Sequence, residues 1–275
     1  MNILHTFLHI RSFMKFALLG KNIAHSLSPQ IHHALFQKYG VNASYELINT
    51  HSPQIVLPLL TKGELQGVNV TIPYKQSFFD YVLSPIAKQM GACNILYVQN
   101  GQLCADNTDG FGFQIAMEFA RIPQVKTALI LGTGGAAKAI AYMLQKQNIQ
   151  VQFVSRSKKG KEYIAYEDVI NHRADLLVNA SPLGMPPYQD SLPLPPETLL
   201  QFPYIMDTAY HLTSTVLQSF CKQHQIPCAS GLVMLIAQAI QSQCIWFGRP
   251  YIDEDIYYVL QQLGVNYENI SYEWP

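Results

Sequence analysis

Ala128-Leu129-Ile130-Leu131-Gly132-Thr133-Gly134-Gly135-Ala136-Ala137 is the stretch on which the fold turns. An apolar run enters a glycine cluster and leaves through a segment where Ile140 and Leu144 recur at helical spacing, which predicts a buried strand, a tight turn and a helix. Gly132, Gly134 and Ala137 fit the spacing G-x-G-x-x-A. The first glycine allows the tight turn, the second lets backbone approach a pyrophosphate, and the small third residue lets helix pack on strand. Gly135 and Ala136 open the helix, whose free amides favour phosphate oxygens. Gly132, Gly134, Gly135 and Ala136 are therefore candidate cofactor-binding residues.

The next strand-like run, 150–154, ends in Ser155-Arg156-Ser157-Lys158-Lys159. A unit that binds NAD usually places an acid here for the ribose hydroxyls, and these positions hold no Asp or Glu. The guanidinium of Arg156, with the hydroxyls of Ser155 and Ser157 and a lysine, suits a 2′-phosphate instead, so the expected cofactor is NADP.

Outward from this unit, short apolar runs at 16–19, 45–48, 68–70, 129–131, 151–154, 176–178 and 204–206 alternate with longer segments of helical period. That order predicts an α/β chain with largely parallel sheets. Ile31, Leu35 and Tyr39 recur every four residues after Pro29, so a helix is predicted over 29–39, with Ser28 as its N-cap and Pro29 in its first turn. Helical spacing returns over 111–121, 231–247 and 253–263. The turn chemistry of Asp106-Asn107-Thr108-Asp109-Gly110 marks a boundary between domains. The expected architecture is two α/β domains with a cleft between them. One, 1–108 plus 231–275, binds the substrate, and the other, 109–230, is a Rossmann-like nucleotide-binding domain. The proline-rich segment 182–196 predicts a surface loop long enough to act as a lid.

Composition narrows the partners. The 275 residues carry 18 basic and 18 acidic side chains, so no global field favours a nucleic acid or an anionic membrane, and a small molecule is expected instead. Cys93, Cys104, Cys221, Cys228 and Cys244 are odd in number and form no CxxC pair, which argues against a disulfide framework and against a structural metal site. They read as reduced thiols in the cytoplasm. His5, His9 and Arg11 interrupt the first thirteen residues, and no cleavage site follows them. With Met14 next, 1–13 reads as an upstream extension.

Three segments supply candidates for a substrate. Ser26 and Ser28 flank a helix start whose dipole favours an anion such as a carboxylate. Thr71 and Lys75 follow a strand ending, the usual place for ligands in α/β folds. Asp109 stands at the expected domain junction, and a lysine and an aspartate facing one cleft move a proton to or from a hydroxyl.

In order along the chain stand His25-Ser26-Leu27-Ser28-Pro29, Asn69-Val70-Thr71-Ile72-Pro73-Tyr74-Lys75, Gly91-Ala92-Cys93-Asn94, Asn107-Thr108-Asp109-Gly110, the glycine turn, and Gly231-Leu232-Val233-Met234-Leu235-Ile236-Ala237-Gln238. This succession, over nearly all of the chain after Met14, resembles the shikimate dehydrogenase family. The resemblance implies reversible reduction of 3-dehydroshikimate to shikimate by NADPH, a step toward chorismate and the aromatic amino acids, by a cytoplasmic monomer or homodimer. It implies that Ser26 and Ser28 bind the carboxylate and that Thr71, Asn94 and Gln238 contact hydroxyls or the carbonyl region. Lys75 and Asp109 form its catalytic pair, and either is the formal acid. Tyr210 is a further substrate contact, Asn179-Ala180-Ser181 lines the nicotinamide pocket, and Gly231 and Met234 lie beside it. The chain departs from the family's commonest pattern at Ser181-Pro182, Ile95, His33 and Thr133. Two other readings stay open: a quinate or broader polyol-acid dehydrogenase using NAD, and a non-catalytic ligand sensor of the same fold.

Overall fold

The computed structural model describes residues 13–81, 84–157 and 160–266. The expected upstream extension lies outside these residues except for Phe13, and Lys158 and Lys159 lie outside them entirely. The chain divides into two compact units, one of residues up to Thr108 with Ala239–Gln262, the other of Asp109–Gln238 with the residues after Gln262.

The first unit opens with β1 (Met14–Gly20), α1 (Ser28–Lys38), β2 (Ala43–Asn49), α2 (Val56–Thr61) and β3 (Gly67–Val70). It continues through α3 (Pro85–Met90), β4 (Ile95–Gln99) and β5 (Gln102–Asp106). The sheet order is β2-β1-β3-β4-β5; β1 runs parallel to β2 and β3, while β4 and β5 are antiparallel. The expectation of largely parallel sheets therefore fails over half of this sheet. The signal for the hairpin was Asn100-Gly101, whose φ values of 52° and 77° are the left-handed pair that a two-residue turn requires.

Side chains alternate across β1 with both faces buried: Phe16 and Leu18 join Phe36 and Tyr45 on one side, and Ala17 and Leu19 join Val56, Leu60 and Phe78 on the other. Helix α1 turns Ile31, Leu35 and Phe36 inward. Its start differs from expectation. Leu27 holds the N-cap position without a side-chain bond, and Ser28 is already helical. The N–H of Ser28 donates to Ser26 Oγ (3.2 Å), so the hydroxyl two residues upstream satisfies this first amide, and the same hydroxyl donates to Ser28 Oγ (3.1 Å).

The second unit holds α4 (Asp109–Phe119), β6 (Thr127–Leu131), α5 (Gly135–Lys146), β7 (Gln150–Val154), β8 (Tyr163–Ile164) and β9 (Leu176–Asn179). After these come α6 (Pro196–Leu199), β10 (Tyr204–Asp207), α7 (Val216–Gln223), β11 (Cys228–Ser230) and α8 (Gly231–Phe247), the last passing into the first unit, where α9 (Glu254–Gln262) follows. All strands of the second sheet are parallel in the order β8-β7-β6-β9-β10-β11, which is the doubly wound order with its switch point between the first and fourth strands, β6 and β9. Leu129 and Leu131 of β6 pack with Leu177, Ile205, Leu199 and Leu217 on one face. Helix α5 buries Ala137, Ile140, Ala141 and Leu144.

Helix α8 spans the range its spacing predicts. Helix α4 starts two residues earlier than expected and ends at Phe119, because Arg121 takes a left-handed φ of 51°. Between β9 and α6 the chain runs without helix or strand, as its prolines predict, with 186–190 exposed and Leu194 in the core.

Candidate functional site

Parallel strands deliver their following residues to one edge of a sheet, and in the second unit four exits meet there: Gly132 after β6, Ser155 after β7, Ala180 after β9 and Thr208 after β10. Gly132 has a φ of 107°, and an added Cβ would lie 2.8 Å from the carbonyl oxygen of Ala180. The turn is thus pressed against the neighbouring exit, and only glycine fits. Gly134 is different. Its φ of −76° and ψ of −174° suit any residue, and an added Cβ would meet nothing within 4 Å. Nothing in the protein demands a glycine there, while the open space in front of the α5 amides suits a pyrophosphate lying against bare backbone.

At the end of β7, Ser155 is buried, its N–H bonded to the Ile164 carbonyl (2.9 Å) and its Oγ accepting from the Ser157 N–H (3.3 Å). Arg156 and Ser157 are exposed. Burial raises the phenol pKa of Tyr166, and the Arg156 charge opposes that rise. Ser155 Oγ is thus engaged within the turn, while Arg156 and Ser157 face solvent beside it.

The exits of β9 and β10 are tied by buried polar groups. Asn179 Nδ2 donates to Asp207 Oδ1 (2.8 Å) and to the Leu183 carbonyl (3.0 Å), while its Oδ1 accepts from the N–H (3.2 Å) and hydroxyl (2.6 Å) of Ser181. Asn179, expected along the nicotinamide pocket, has a wholly buried side chain whose donors and acceptor are engaged within the turn. Ser181 is half-buried. Asp207 also accepts from the Ala209 N–H (3.2 Å) and the Thr215 hydroxyl. Burial lifts its pKa to about 6, against the pull of hydrogen bonds from Thr215, Asn179 and Ala209. The sequence reading did not single out Asp207. A lone acid closing the apolar run Tyr204-Ile205-Met206 was the available signal, since such a group inside a fold needs donors around it.

Tyr210 is half-buried, and its N–H donates to Met185 Sδ (3.3 Å). Gly231, at the start of α8, lies against this segment: an added Cβ would stand 2.4 Å from the Ala209 oxygen and 2.5 Å from that of Thr208. Close approach recurs at Gly112, where an added Cβ would stand 2.5 Å from the Met234 oxygen and 3.0 Å from Gln238 Cβ. Helix α4, with buried Asp109 as its first residue, therefore packs backbone-close on the turn of α8 that carries Met234 and Gln238. Gln238 Nε2 donates to the Leu235 carbonyl (2.8 Å). Gly112 was not among the sequence candidates.

In the first unit the exits of adjacent β1 and β3 are joined. The Lys21 N–H donates to the Ile72 oxygen (3.2 Å), the Thr71 N–H to the Leu19 oxygen (2.9 Å), and an added Cβ on Gly20 would lie 2.6 Å from Thr71 Cγ2. Ser26 and Ser28, their hydroxyls 3.1 Å apart, follow β1; Thr71 and half-buried Lys75 follow β3. Paired hydroxyls of this kind suit a carboxylate. Asn94 is buried, its Nδ2 donating to Thr108 Oγ1 (3.0 Å) and its Oδ1 accepting from the Thr108 N–H (2.7 Å), while its carbonyl binds the Val70 N–H (2.8 Å). Behind it, Asn69 bonds the hydroxyls of Tyr45 (2.8 Å) and Ser242 (2.9 Å). His32 stacks on Tyr45 with ring centroids 4.0 Å apart; burial foremost, then the neighbouring His33, lowers its pKa to about 3. All five cysteines are buried and outside any disulfide, and among the described residues no cluster of His, Cys, Asp or Glu could hold a metal ion.

A doubly wound parallel sheet with a glycine turn at its switch point defines the class as a dinucleotide-binding α/β protein with a second, mixed-sheet unit. A sequence model of the shikimate dehydrogenase substrate binding domain matches residues 18–96. The NADP(+) shikimate dehydrogenase of Clostridium beijerinckii is 33% identical over 245 residues, covering 84% of this chain and 91% of that protein. Shikimate dehydrogenase 1 of Peptoclostridium difficile superposes with a TM-score of 0.83 at 32% identity, over 91% of this chain and 98% of that one. The Thermus thermophilus enzyme, solved with NADP(H) and shikimate, does so with a TM-score of 0.78 at 29% identity, over 91% and 99%. The chain belongs to the shikimate dehydrogenase family.

Proposed function

We propose that this chain is an NADP-dependent shikimate dehydrogenase, which reversibly reduces 3-dehydroshikimate to shikimate. The observation that carries the cofactor half is the meeting of the glycine turn with Arg156 at an edge where 155–159 hold no acid. Family membership and the paired hydroxyls of Ser26 and Ser28 carry the substrate half.

Bound NADPH supplies the hydride. The chain's own residues bind, orient and protonate. Gly132, Gly134, Gly135 and Ala136 accommodate the pyrophosphate on backbone N–H groups, and Arg156 with Ser157 holds the 2′-phosphate. With the 2′-phosphate held at the end of β7, Ser181, Tyr210, Gly231 and Met234 at the β9 and β10 exits would border the nicotinamide. Ser26 and Ser28 hold the carboxylate, Thr71, Asn94, Tyr210 and Gln238 the ring substituents. Lys75, with Asp109 as its partner carboxylate, stabilises the alkoxide that develops at the reduced carbon and supplies its proton. The enzyme works in the cytoplasm as a monomer or homodimer on small molecules, without nucleic acid or membrane; among the described residues no helix is long and apolar enough to cross one.

The test is direct. Purified protein with shikimate and NADP is expected to form NADPH, measured by absorbance, with much slower turnover on NAD or quinate. Turnover of quinate with NAD at a comparable rate would overturn the assignment, and so would no turnover at all.

A further inference from the structure

Asp207 closes β10 with its carboxylate inside the protein, and its hydrogen bonds come from neutral donors on three different segments: Asn179 at the end of β9, Ala209 on the exit of β10, and Thr215 at the start of α7. Burying a carboxylate among neutral donors is costly, and a neutral side chain would fill the space at lower cost. What a carboxylate alone offers is acceptor sites in several directions with no donor to place. The base of the proline-rich loop converges on the same point. The Leu183 carbonyl accepts from Asn179 (3.0 Å), an added Cβ on Gly184 would lie 3.1 Å from Ala209 Cβ and 4.0 Å from Asp207 Oδ2, and Met185 accepts from the Tyr210 N–H. The Thr208 N–H (3.0 Å) and hydroxyl (2.8 Å) also join these exits at the Asn179 carbonyl, and Asp207 adds the buried tie that links both exits to the start of α7.

We propose that Asp207 is a positioning residue for the nicotinamide end of the cofactor site: its carboxylate fixes the spacing of the β9 and β10 exits, and so the places of Ser181 and Tyr210, without touching a ligand. The inference rests on the dinucleotide reading above. The adenosine end, at the glycine turn and Arg156, is held by other contacts: the Gly132 N–H on the Val154 carbonyl (3.0 Å) and the Ser155 N–H on the Ile164 carbonyl (2.9 Å). A loss confined to one end of the cofactor is thus the signature of positioning, and an equal loss at both ends is the signature of general unfolding.

Full-length protein carrying Asp207→Ala or Asp207→Asn is titrated with NADPH and with 2′,5′-ADP, a probe that has the adenosine 2′-phosphate and no nicotinamide. Asp207→Ala leaves the Asn179 amide and Ala209 N–H without their acceptor and is expected to weaken NADPH about tenfold or more, with 2′,5′-ADP held within about twofold. Asp207→Asn keeps an oxygen for both donors and is expected to recover most of the NADPH affinity; should the alanine variant not fold, this variant with Thr215→Val carries the same comparison. Equal weakening of both probes, or none of either, overturns the inference alone. Wild-type protein that binds neither probe overturns the dinucleotide reading and the inference with it.

Discussion

In the mixed sheet of the first unit, the exits of β1 and β3 are joined by backbone hydrogen bonds and by the contact of Gly20 with Thr71. In the parallel sheet of the second unit, the exits of β9 and β10 share a backbone bond from the Thr208 N–H to the Asn179 oxygen (3.0 Å) and are tied in addition through the side chains of Asn179 and Asp207. Backbone joints carry no titratable group, so the placement of Ser26, Ser28, Thr71 and Lys75 is insensitive to protonation within the joint. The placement of Ser181 and Tyr210 depends on a carboxyl group whose pKa lies within the ordinary working range of proteins. The first edge thus carries no ionisable joint, and the second carries one in addition to its backbone bond.

The largest expected effect tests whether the two edges do separate jobs. Lys75→Ala removes the proposed proton donor and is expected to lower kcat about a thousandfold, with NADPH affinity unchanged in a fluorescence titration. An unchanged kcat removes Lys75 from the chemistry. Arg156→Ala strikes the other edge: loss of a charge-assisted bond to the 2′-phosphate is expected to raise the Kd for NADPH by about ten- to a hundredfold and leave NADH nearly unaffected, which calorimetry with both cofactors reads. Equal losses for the two cofactors would mean that Arg156 does not read the phosphate.

Within the glycine turn the same contrast sharpens. Gly132→Ala forces a Cβ into the Ala180 carbonyl at a positive φ and is expected to cost about 1–3 kcal/mol of stability, seen as a lower Tm. Gly134→Ala meets no protein atom and is expected to leave Tm in place while NADPH binding falls. If both variants lower Tm equally, the space at Gly134 is structural and not reserved for a ligand.

The glycine turn and Arg156 were legible because their chemistry is local: a strand, a turn and a helix start lie within a dozen residues, and the missing acid is visible in the letters. The seven strands named in advance were also local, each a short apolar run. The β4–β5 hairpin was passed over although Asn100-Gly101 marks it, since Tyr97, Val98 and Gln99 lie toward the surface and weaken the apolar run. Strands β8 and β11 are too short to show a period. The unread partners of Asn179 and the unread places of Asp207 and Gly112 share one cause. Each is set by partners far along the chain, Asn179 and Asp207 by each other and Gly112 by Met234, and no local spacing reports such pairings.

The smallest effect concerns His32 and Asp207, two buried groups, one in each unit, which burial drives toward neutrality from opposite sides. His32, beside His33, titrates at about 3 in the folded protein against an ordinary 6.5, so the unfolded chain binds the extra proton between those values and stability rises with pH across that window. Asp207, beside Cys228, titrates at about 6 against 3.8, so the folded protein holds the extra proton there and stability falls with pH from 3.8 to 6. Each contribution is on the order of a few kcal/mol, and between about pH 4 and 6 the two oppose one another. Asp207→Asn removes only the falling one. Relative to wild type, its stability in chemical denaturation is therefore expected to rise more steeply between pH 4 and 6, while below pH 4 the two proteins run parallel. If the variant instead follows the wild-type slope across that window, Asp207 does not gain its proton in the fold, and the second edge is as indifferent to pH as the first.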